Sequence, residues 1–418
     1  SGNPYFGSWA LKYEIPSLQK ENIKNAKYIW LSHGHPDHID QNSFEFFQNS
    51  KLLIPDHYGD RIYNFFRDKY DVIKIKSNEW FEISKNVRVK SFADWNQDAS
   101  LLIEIGKKDI ILNANDGSLL GWRPTIKKII SNYKNRFLLK LINWGDADMV
   151  NIYDEDDKFI SPLTSFKPKI GKRYSNMLNN LGCNFAIPFS SIHQYQRSDS
   201  IHMNEHVTPL KKHYDGFRDT FGDLLPAFIV WDTLKEDFIQ INPKKIPVLV
   251  KSPEDFGDCY SDELDKDEMK IVSDYFKSFE NLKKSFGTIN LVVGGKEINI
   301  KLTNKKSIIS FEAPKNSLMT SINYEIFDDM LIGNYMKTKI IGAKSLYPNF
   351  TPFVTKYGDN GGAKTFSDLQ YYFDYYKINS ANYWRDMLQY QSENVLRNYF
   401  DNDSGEIKFA KNIKDKFF

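Results

Sequence analysis

The sequence predicts a layered α/β protein followed by an α+β region, and three observations lead to this prediction. Short β-branched and aromatic runs alternate with helix-like stretches up to about residue 224, which is typical of layered α/β folds. Beyond that point the alternation gives way to an acidic helix, a strand pair and aromatic helices. A chain of 418 residues also exceeds one ordinary core, so we predict two domains, 1–224 and 225–418.

The elements of the first region follow from periodicity and from the turn residues between them. Gly106, Lys107 and Lys108 predict a hairpin turn between two strands within 100–116. Residues 145–169 are polar and contain proline, which indicates a long loop or lid. Further strands are predicted at 27–32, 52–54, 72–76, 86–93, 136–144 and 183–190, and helices at 41–49, 58–68, 123–132 and 173–181.

The second region mixes helices and strands without regular alternation. An amphipathic helix is predicted near 262–286. Two strands meet near Gly294 and Gly295, a third covers 307–313, and aromatic-rich helices follow to the end. We expect this region to serve as an accessory or substrate domain.

Composition narrows the classes of protein that fit. A formal net charge of +2 gives no strong field for nucleic acid or anionic lipid. The two cysteines, Cys183 and Cys259, cannot supply a disulfide framework or an iron–sulfur site, and low cysteine use fits the cytoplasm. No apolar run approaches the roughly 20 residues of a membrane span. The chain starts like the middle of a loop, without an initiating Met, so upstream residues can be missing.

One short segment concentrates metal-binding chemistry. His33, His35, Asp37 and His38 place three imidazoles and a carboxylate within six positions, directly after a predicted buried strand. Zinc, iron and manganese accept these ligands. His33 and His35 can converge on one ion while Asp37 and His38 face a second, about 3.5–4 Å away. The alternative is a polar loop with chance histidines, although only eight histidines occur in the whole chain.

The H-x-H-x-D-H pattern resembles the signature of the metallo-β-lactamase superfamily. This resemblance implies an αββα sandwich whose later ligands are a His, a bridging Asp and a last His at strand ends. Asp116 matches the bridging Asp, although Asp-Gly is also a common turn pair. For the last His, His193 is favoured slightly over His202 and His206, and a surface or lid position fits it almost equally well.

The middle His of that pattern is absent. His57 comes too early in the chain, so Asp98 is the candidate substitute and Asp94 the next. The alternative is that both aspartates cap the hairpin. A carboxylate is a harder ligand than an imidazole, so a carboxylate at this position favours iron or manganese over zinc. We therefore expect two divalent metal ions, with iron the first choice.

Within the superfamily, the motifs look most like the CMP-N-acetylneuraminate hydroxylase group. They are more distantly similar to the N-acyl-phosphatidylethanolamine phospholipase D and ascorbate-phosphate lactonase groups. The matching stretches are GNPYFGSW at 2–9, WLSHGHPDH at 30–38, SLLIEIGKKDIILNANDG at 100–117, IPFSSIHQYQRSDS at 187–200 and, more weakly, IFDDMLIGNYM at 326–336.

This resemblance implies a soluble enzyme that hydroxylates the N-acetyl methyl of a nucleotide-linked sugar with iron, dioxygen and supplied electrons. Family members carry an upstream Rieske domain, which needs two cysteines and two histidines. This chain cannot supply that site, so a missing segment or a separate electron-transfer protein would have to do so.

We consider three alternative functions and give them in order of preference. The first is a monooxygenase acting on a nucleotide-linked or amido-sugar-like small molecule, with Asp37 and Asp116 as catalytic residues. The second is a metal-dependent hydrolase of an ester, amide or phosphodiester, and the third a non-catalytic metal-binding scaffold. Trp95, Arg197 and Lys356 are candidate substrate contacts, weighed against core packing for Trp95 and plain surface charge for the two cations.

Overall fold

The structure is a computed structural model that describes residues 3–44, 47, 49–141, 151–160, 169–190, 192–218, 222–400, 404–406 and 409. Its architecture is mixed α/β, which confirms the predicted class. No helix among these residues is both long enough and apolar enough to cross a bilayer.

The first part of the chain contains most of the strands. The strands are β1 Trp9–Leu11, β2 Tyr28–Trp30, β3 Lys51–Pro55, β4 Val72–Ile75, β5 Trp80–Ser84, β6 Val87–Ala93, β7 Ala99–Ile105, β8 Asp109–Asn115, β9 Asn135–Lys140, β10 Ile152–Tyr153, β11 Phe185–Pro188, β12 His193–Tyr195, β13 Asp223–Leu224, β14 Ile229–Asp232 and β15 Asp237–Gln240. The helices are α1 Ser17–Lys24, α2 Gln41–Phe44, α3 Arg61–Phe66, α4 Arg123–Ile130 and α5 Ile170–Leu181, with 3₁₀ helices at Ile201–Glu205 and Leu210–Tyr214.

Two sheets of this part pack face to face. The larger has the strand order β13-β11-β9-β8-β7-β6-β5, and the smaller is the parallel set β2-β3-β4. Leu53 and Ile75 of the small sheet pack on Val89 and Leu101 of the large one. After the exposed Lys51, β3 is apolar and buried from Leu52 to Pro55, as expected for a parallel strand covered on both faces.

Helices cover the two outer faces. Phe44 of α2 and Phe66 of α3 pack on Leu52 and Ile54 of the small sheet. On the large sheet, the outer layer consists of α4 and α5, whose apolar faces are buried at Ile126, Ile130, Tyr174 and Leu178. The described layers therefore run helix, sheet, sheet, helix.

Strand direction brings several loops together. β8, β9 and β11 are mutually parallel, and β6 points the same way because two antiparallel pairings separate it from β8. The carboxyl ends of β6, β8, β9 and β11 thus lie at one edge of the large sheet. Loops at such an edge are where open α/β sheets place ligands.

The later part of the chain forms most of another, five-stranded sheet and has its own helices. Its elements are a 3₁₀ helix Pro253–Phe256, α6 Lys266–Ser278, α7 Leu282–Ser285, β16 Thr288–Val293, β17 Lys296–Lys301, β18 Ile308–Glu312, α8 Lys315–Asn323, α9 Phe327–Gly333, β19 Lys337–Ile341, a π-helix Pro352–Asn360, α10 Phe366–Asn379 and α11 Tyr383–Tyr399. The sheet order is β10-β19-β18-β16-β17, and its core includes Phe276, Ile289, Phe311 and Leu318.

The structure differs from the prediction at several elements. The helix predicted near 262–286 is divided into α6 and α7, because Phe279 takes an extended conformation after α6. β5 was not predicted. Within the loop predicted at 145–169, Ile152 and Tyr153 form β10, which pairs in parallel with β19. The rest of that prediction falls largely on 145–150 and 161–168, outside the described residues.

Several aromatic contacts join residues before the predicted boundary at 225 to residues after it. Trp231 of the β14-β15 hairpin packs on Phe137 and Phe185 of the large sheet. Tyr383 of α11 packs on Trp95, which follows β6. The two-domain division remains a prediction, and these contacts show that the two regions share cores.

Candidate metal centre

The histidine loop follows β2, and two of its imidazoles converge with the carboxylate that follows β8. His33 Nε2 lies 2.9 Å from His35 Nδ1 and 3.6 Å from Asp116 Oδ2. The ligand atoms of these three residues all lie within 4.8 Å of one another. Both histidines are buried, at 3% and 8% exposure. The group His33, His35 and Asp116 could hold a metal ion.

A second set of donors adjoins the first through the same carboxylate. His38 Nε2 lies 3.3 Å from Asp116 Oδ2 and 3.5 Å from Asp37 Oδ2. The turn that carries His38 is closed by its backbone N–H, which donates to the carbonyl of His35 at 2.9 Å. Tyr5 Oη donates to Asp37 Oδ1 at 2.6 Å and so fixes that carboxylate. Asp116 therefore lies between the two donor sets.

Unsatisfied buried oxygens support a cation at this place. Asp98 Oδ1 and Asp116 Oδ1 are buried and accept no hydrogen bond from the described residues. Leaving buried carboxylate oxygens without a donor is costly, and coordination of a cation removes that cost. Imidazole and carboxylate are donors that iron, manganese and zinc all accept, and a larger share of carboxylate favours the harder iron and manganese. The residues present therefore fit a metal ion.

Asp98 and Asp94, the two candidates for the missing histidine, have different surroundings. Asp98 Oδ1 lies 3.7 Å from His33 Nδ1, which is the ring nitrogen that faces away from His35. Asp94 accepts hydrogen bonds from the backbone N–H of Asn96 and from the N–H and Oγ of Ser118. Asp94 thus closes the turn between β6 and β7, whereas Asp98 approaches the metal-binding residues.

The other predicted histidines lie farther along the chain. His193, on β12, stacks its ring on Trp9 at a centroid distance of 3.6 Å, and Trp9 lines the cavity described below. His193 is not among the residues that line it, so its role as last ligand remains a prediction. His202 lies on the 3₁₀ helix Ile201–Glu205, and the ring of His206 stacks near Phe159. His57 is buried against the carbonyl of Ser32 and Tyr376 Oη.

A cavity of about 410 Å³ opens over these residues. Its volume is in the range of small-molecule sites. Both regions of the chain contribute to its wall: His35, Asp37, Asp98, Asp116, Lys140 and Arg173 come from the first, and Asp328, Tyr347, Thr355 and Lys356 from the second.

The structure places the three predicted substrate-contact residues in different surroundings. Lys356 lines the cavity, with its Nζ 3.5 Å from Asp328 Oδ2. Trp95 is fully buried and packs on Tyr383 and Tyr390, which is the core-packing alternative. Arg197 is fully buried and forms ion pairs with Asp199 and Asp258, both at 2.7 Å, away from the cavity wall.

Burial and mutual charge control the protonation of the site. Burial lowers the pKa of His33 well below its usual value, with His38 and His35 adding to the effect, so its imidazole is neutral and ready to bind a metal. Burial also lowers the pKa of His38, but Asp37 and Asp116 outweigh it and raise that pKa to about 9. Burial raises the pKa of Asp116, yet its hydrogen bond to His38 and that residue's positive charge lower it overall.

Sequence reasoning missed Tyr5, Lys140 and Asp328. Lys140 ends β9, lines the cavity and donates to the carbonyls of Asn115 and Gly117, on either side of Asp116. Burial lowers its pKa to about 8. Asp328 Oδ2 lies 3.0 Å from His35 Nε2. The position of Lys140 at a strand end was a usable signal, whereas the contact of Asp328 depends on folding across 293 residues of sequence.

Comparison of the sequence with protein-family models gave no match, and comparison with curated proteins gave none either.

Proposed function

We propose that this chain is a metal-dependent enzyme built on the metallo-β-lactamase αββα sandwich. The observation that carries the proposal is the convergence of His33, His35 and Asp116 beneath a cavity. The helix-sheet-sheet-helix layering and the loop after β2 agree with this fold. Motif order and donor geometry thus support the same proposal from independent directions.

The proposed centre holds two ions that share Asp116. One set of ligands is His33, His35 and Asp116, with Asp98 as the candidate that replaces the absent histidine. The other set is Asp37, His38 and Asp116, with His193 as a candidate. Carboxylates make up a large share of these donors, which favours iron over zinc.

Among reactions, we favour oxygenation of a nucleotide-linked or amido-sugar-like molecule, following the resemblance to the CMP-N-acetylneuraminate hydroxylase group. Non-haem iron supplies one-electron and dioxygen chemistry when bound. The chain's own residues hold the ligands in place, enclose the substrate and offer Arg173 and Lys356 on the cavity wall as anion partners. Electrons would come from a separate electron-transfer protein.

Hydrolysis is the second candidate, and the shared carboxylate favours it. Two donor sets joined by Asp116 match the arrangement that two-metal hydrolases use on esters, amides and phosphodiesters. For either reaction we assign the catalytic roles to Asp37 and Asp116, which both line the cavity.

Elemental analysis tests the proposal. The protein is expressed with iron, zinc and manganese all present, and bound metal is counted per chain. About two irons per chain support the oxygenase, and a screen with amido-sugar nucleotides and a reductase follows. About two zincs overturn the oxygenase in favour of the hydrolase, and no bound metal overturns both.

A further inference from the structure

The two ring nitrogens of His35 face different partners. Nδ1 lies 2.9 Å from His33 Nε2, on the side of the proposed metal ion, and Nε2 lies 3.0 Å from Asp328 Oδ2. His35 is 8% exposed and Asp328 6%, so water competes little for this contact. One imidazole therefore lies between the proposed metal site and a buried carboxylate.

This arrangement determines which nitrogen can bind a metal. A neutral imidazole that coordinates through one nitrogen carries its proton on the other, and a carboxylate at that proton fixes the tautomer and strengthens the ligand. We propose that Asp328 is a positioning residue that holds His35 as the Nε2–H tautomer, with Nδ1 directed at the metal. The inference rests on the proposed metal-dependent function.

Asp328 is itself held firmly by the later part of the chain. It lies in the first turn of α9, whose leading N–H, that of Phe327, donates to Asp359 Oδ2 at 3.1 Å. Lys356 Nζ lies 3.5 Å from Asp328 Oδ2 and compensates its charge. Asp359 and Lys356 both belong to the π-helix Pro352–Asn360, a rare element that often occurs at functional sites.

The predicted accessory region therefore supplies a component of the metal centre as well as part of the cavity wall. The neighbouring carboxylate provides a matched comparison. Asp329 is on the same helix and is equally buried at 6% exposure, yet it shares no hydrogen bond with His35 among the described residues. An effect that belongs to the His35 contact should appear at Asp328 and not at Asp329.

The first test requires no metal. In metal-free protein labelled with ¹⁵N at its eight histidines, long-range ¹H–¹⁵N spectra report each ring's tautomer, and His35→Gln assigns the His35 signals. Burial lowers the pKa of His35 but the contact with Asp328 raises it overall, so the spectra are recorded at alkaline pH, where the ring is neutral. We expect the Nε2–H form at His35 in the wild type and in Asp329→Asn, and a mixture of tautomers in Asp328→Asn. The Nδ1–H form or a mixture in the wild type overturns the proposal.

The second test is competition for Zn²⁺ or Co²⁺ against a chelating dye, with folding of each variant checked by circular dichroism. Asp328→Asn should weaken the metal affinity by about 10–100-fold, whereas Asp329→Asn should leave it within about threefold of the wild type. Asp328→Glu, which keeps the charge, should recover part of the loss.

The outcomes separate this inference from the proposed function. Wild-type protein that binds metal, with Asp328→Asn equal to Asp329→Asn, overturns the positioning role alone. Wild-type protein that binds no metal overturns the proposed function together with the role built on it.

Discussion

At the scale of single residues, the two aspartates between β6 and β7 show how neighbouring carboxylates acquire different tasks. Asp94 accepts three hydrogen bonds and holds a turn closed, while Asp98 keeps an unsatisfied oxygen beside His33. Burial and the charge of Asp98 raise the pKa of Asp94 to about 7. Asp94 and Asp98 differ in their hydrogen-bond partners because of the backbone geometry around each, which cannot be read from a sequence pattern.

Substitution by alanine should affect metal binding at Asp98 and stability at Asp94. Asp98→Ala should lower the bound metal by up to one ion per chain with little loss of stability, because its Oδ1 accepts no hydrogen bond from the described part of the chain. Asp94→Ala should lower the free energy of unfolding by about 1–3 kcal/mol, because the N–H of Ser118 loses its acceptor. Elemental analysis and urea unfolding measure the two effects. Full metal occupancy in Asp98→Ala would remove it from the ligand set.

Asp359 gives a prediction about pH. Burial raises its pKa from the ordinary 3.8 to about 7, although the N–H of Phe327 and Tyr275 Oη donate to it. The folded state thus retains a proton that the unfolded state releases above pH 4. Its contribution to stability is complete below pH 4 and falls as pH rises to about 7, by at most about 1.4 kcal/mol per pH unit.

Asp359→Asn removes this titration. Denaturant unfolding at pH 5 and pH 7 should therefore show the variant gaining on the wild type as the pH rises. Equal differences in unfolding free energy at both pH values would mean that Asp359 is already ionised at pH 5.

At the scale of elements, α5 forms part of the cavity wall and is held in place by close backbone packing. It carries Arg173, which lines the cavity, and Tyr174, whose Oη donates to the carbonyl of Lys140 at 3.2 Å. At Gly171, a Cβ would come within 2.5 Å of the N of Phe217 and 2.7 Å of the O of Tyr214. Only glycine allows the helix to lie this close to the segment after Leu210.

Gly171→Ala should therefore force α5 away from that segment. We expect a loss of about 1–3 kcal/mol in unfolding free energy, as for other overpacked sites. Urea denaturation measures it, with Lys172→Ala, an exposed position on the same helix, as the control. A variant as stable as that control would show that the backbone contact relaxes without cost.

At the scale of the whole molecule, Arg197 ties distant segments together. Its guanidinium donates to the carbonyl of Phe6 and pairs with Asp199 and Asp258. Asp258 in turn accepts hydrogen bonds from the N–H and Oγ of Ser317 on α8. The N-terminal segment, the loop after β12 and α8 thus meet at one buried cation.

Arg197→Met should destabilise the protein by about 3–5 kcal/mol, because it leaves the buried carboxylate of Asp258 and the half-buried carboxylate of Asp199 without their cation. Thermal or urea unfolding measures the loss, and Arg67→Met, which breaks an exposed pair with Asp68, should cost under about 1 kcal/mol. Unchanged stability with loss of phosphate binding would instead favour the substrate role predicted from the sequence.

Local patterns predicted local features well. Periodicity located β3, β8 and α4. The spacing of His33 and His35 indicated two members of the group that the structure brings together, and the family resemblance added Asp116. Features that depend on contacts between residues far apart in sequence could not be predicted. β10 is a strand only because β19 lies beside it, and Arg197 is buried only because Asp258 and Phe6 surround it. The number and identity of the metal ions remain predictions.

The contact between His35 and Asp328 has an evolutionary consequence. The two positions are 293 residues apart in sequence but 3.0 Å apart in space, so a change at one alters the selection on the other. Descendants of a common ancestor should therefore keep both residues or lose both. Covariation of these two alignment columns would record the contact in genomes without any structure.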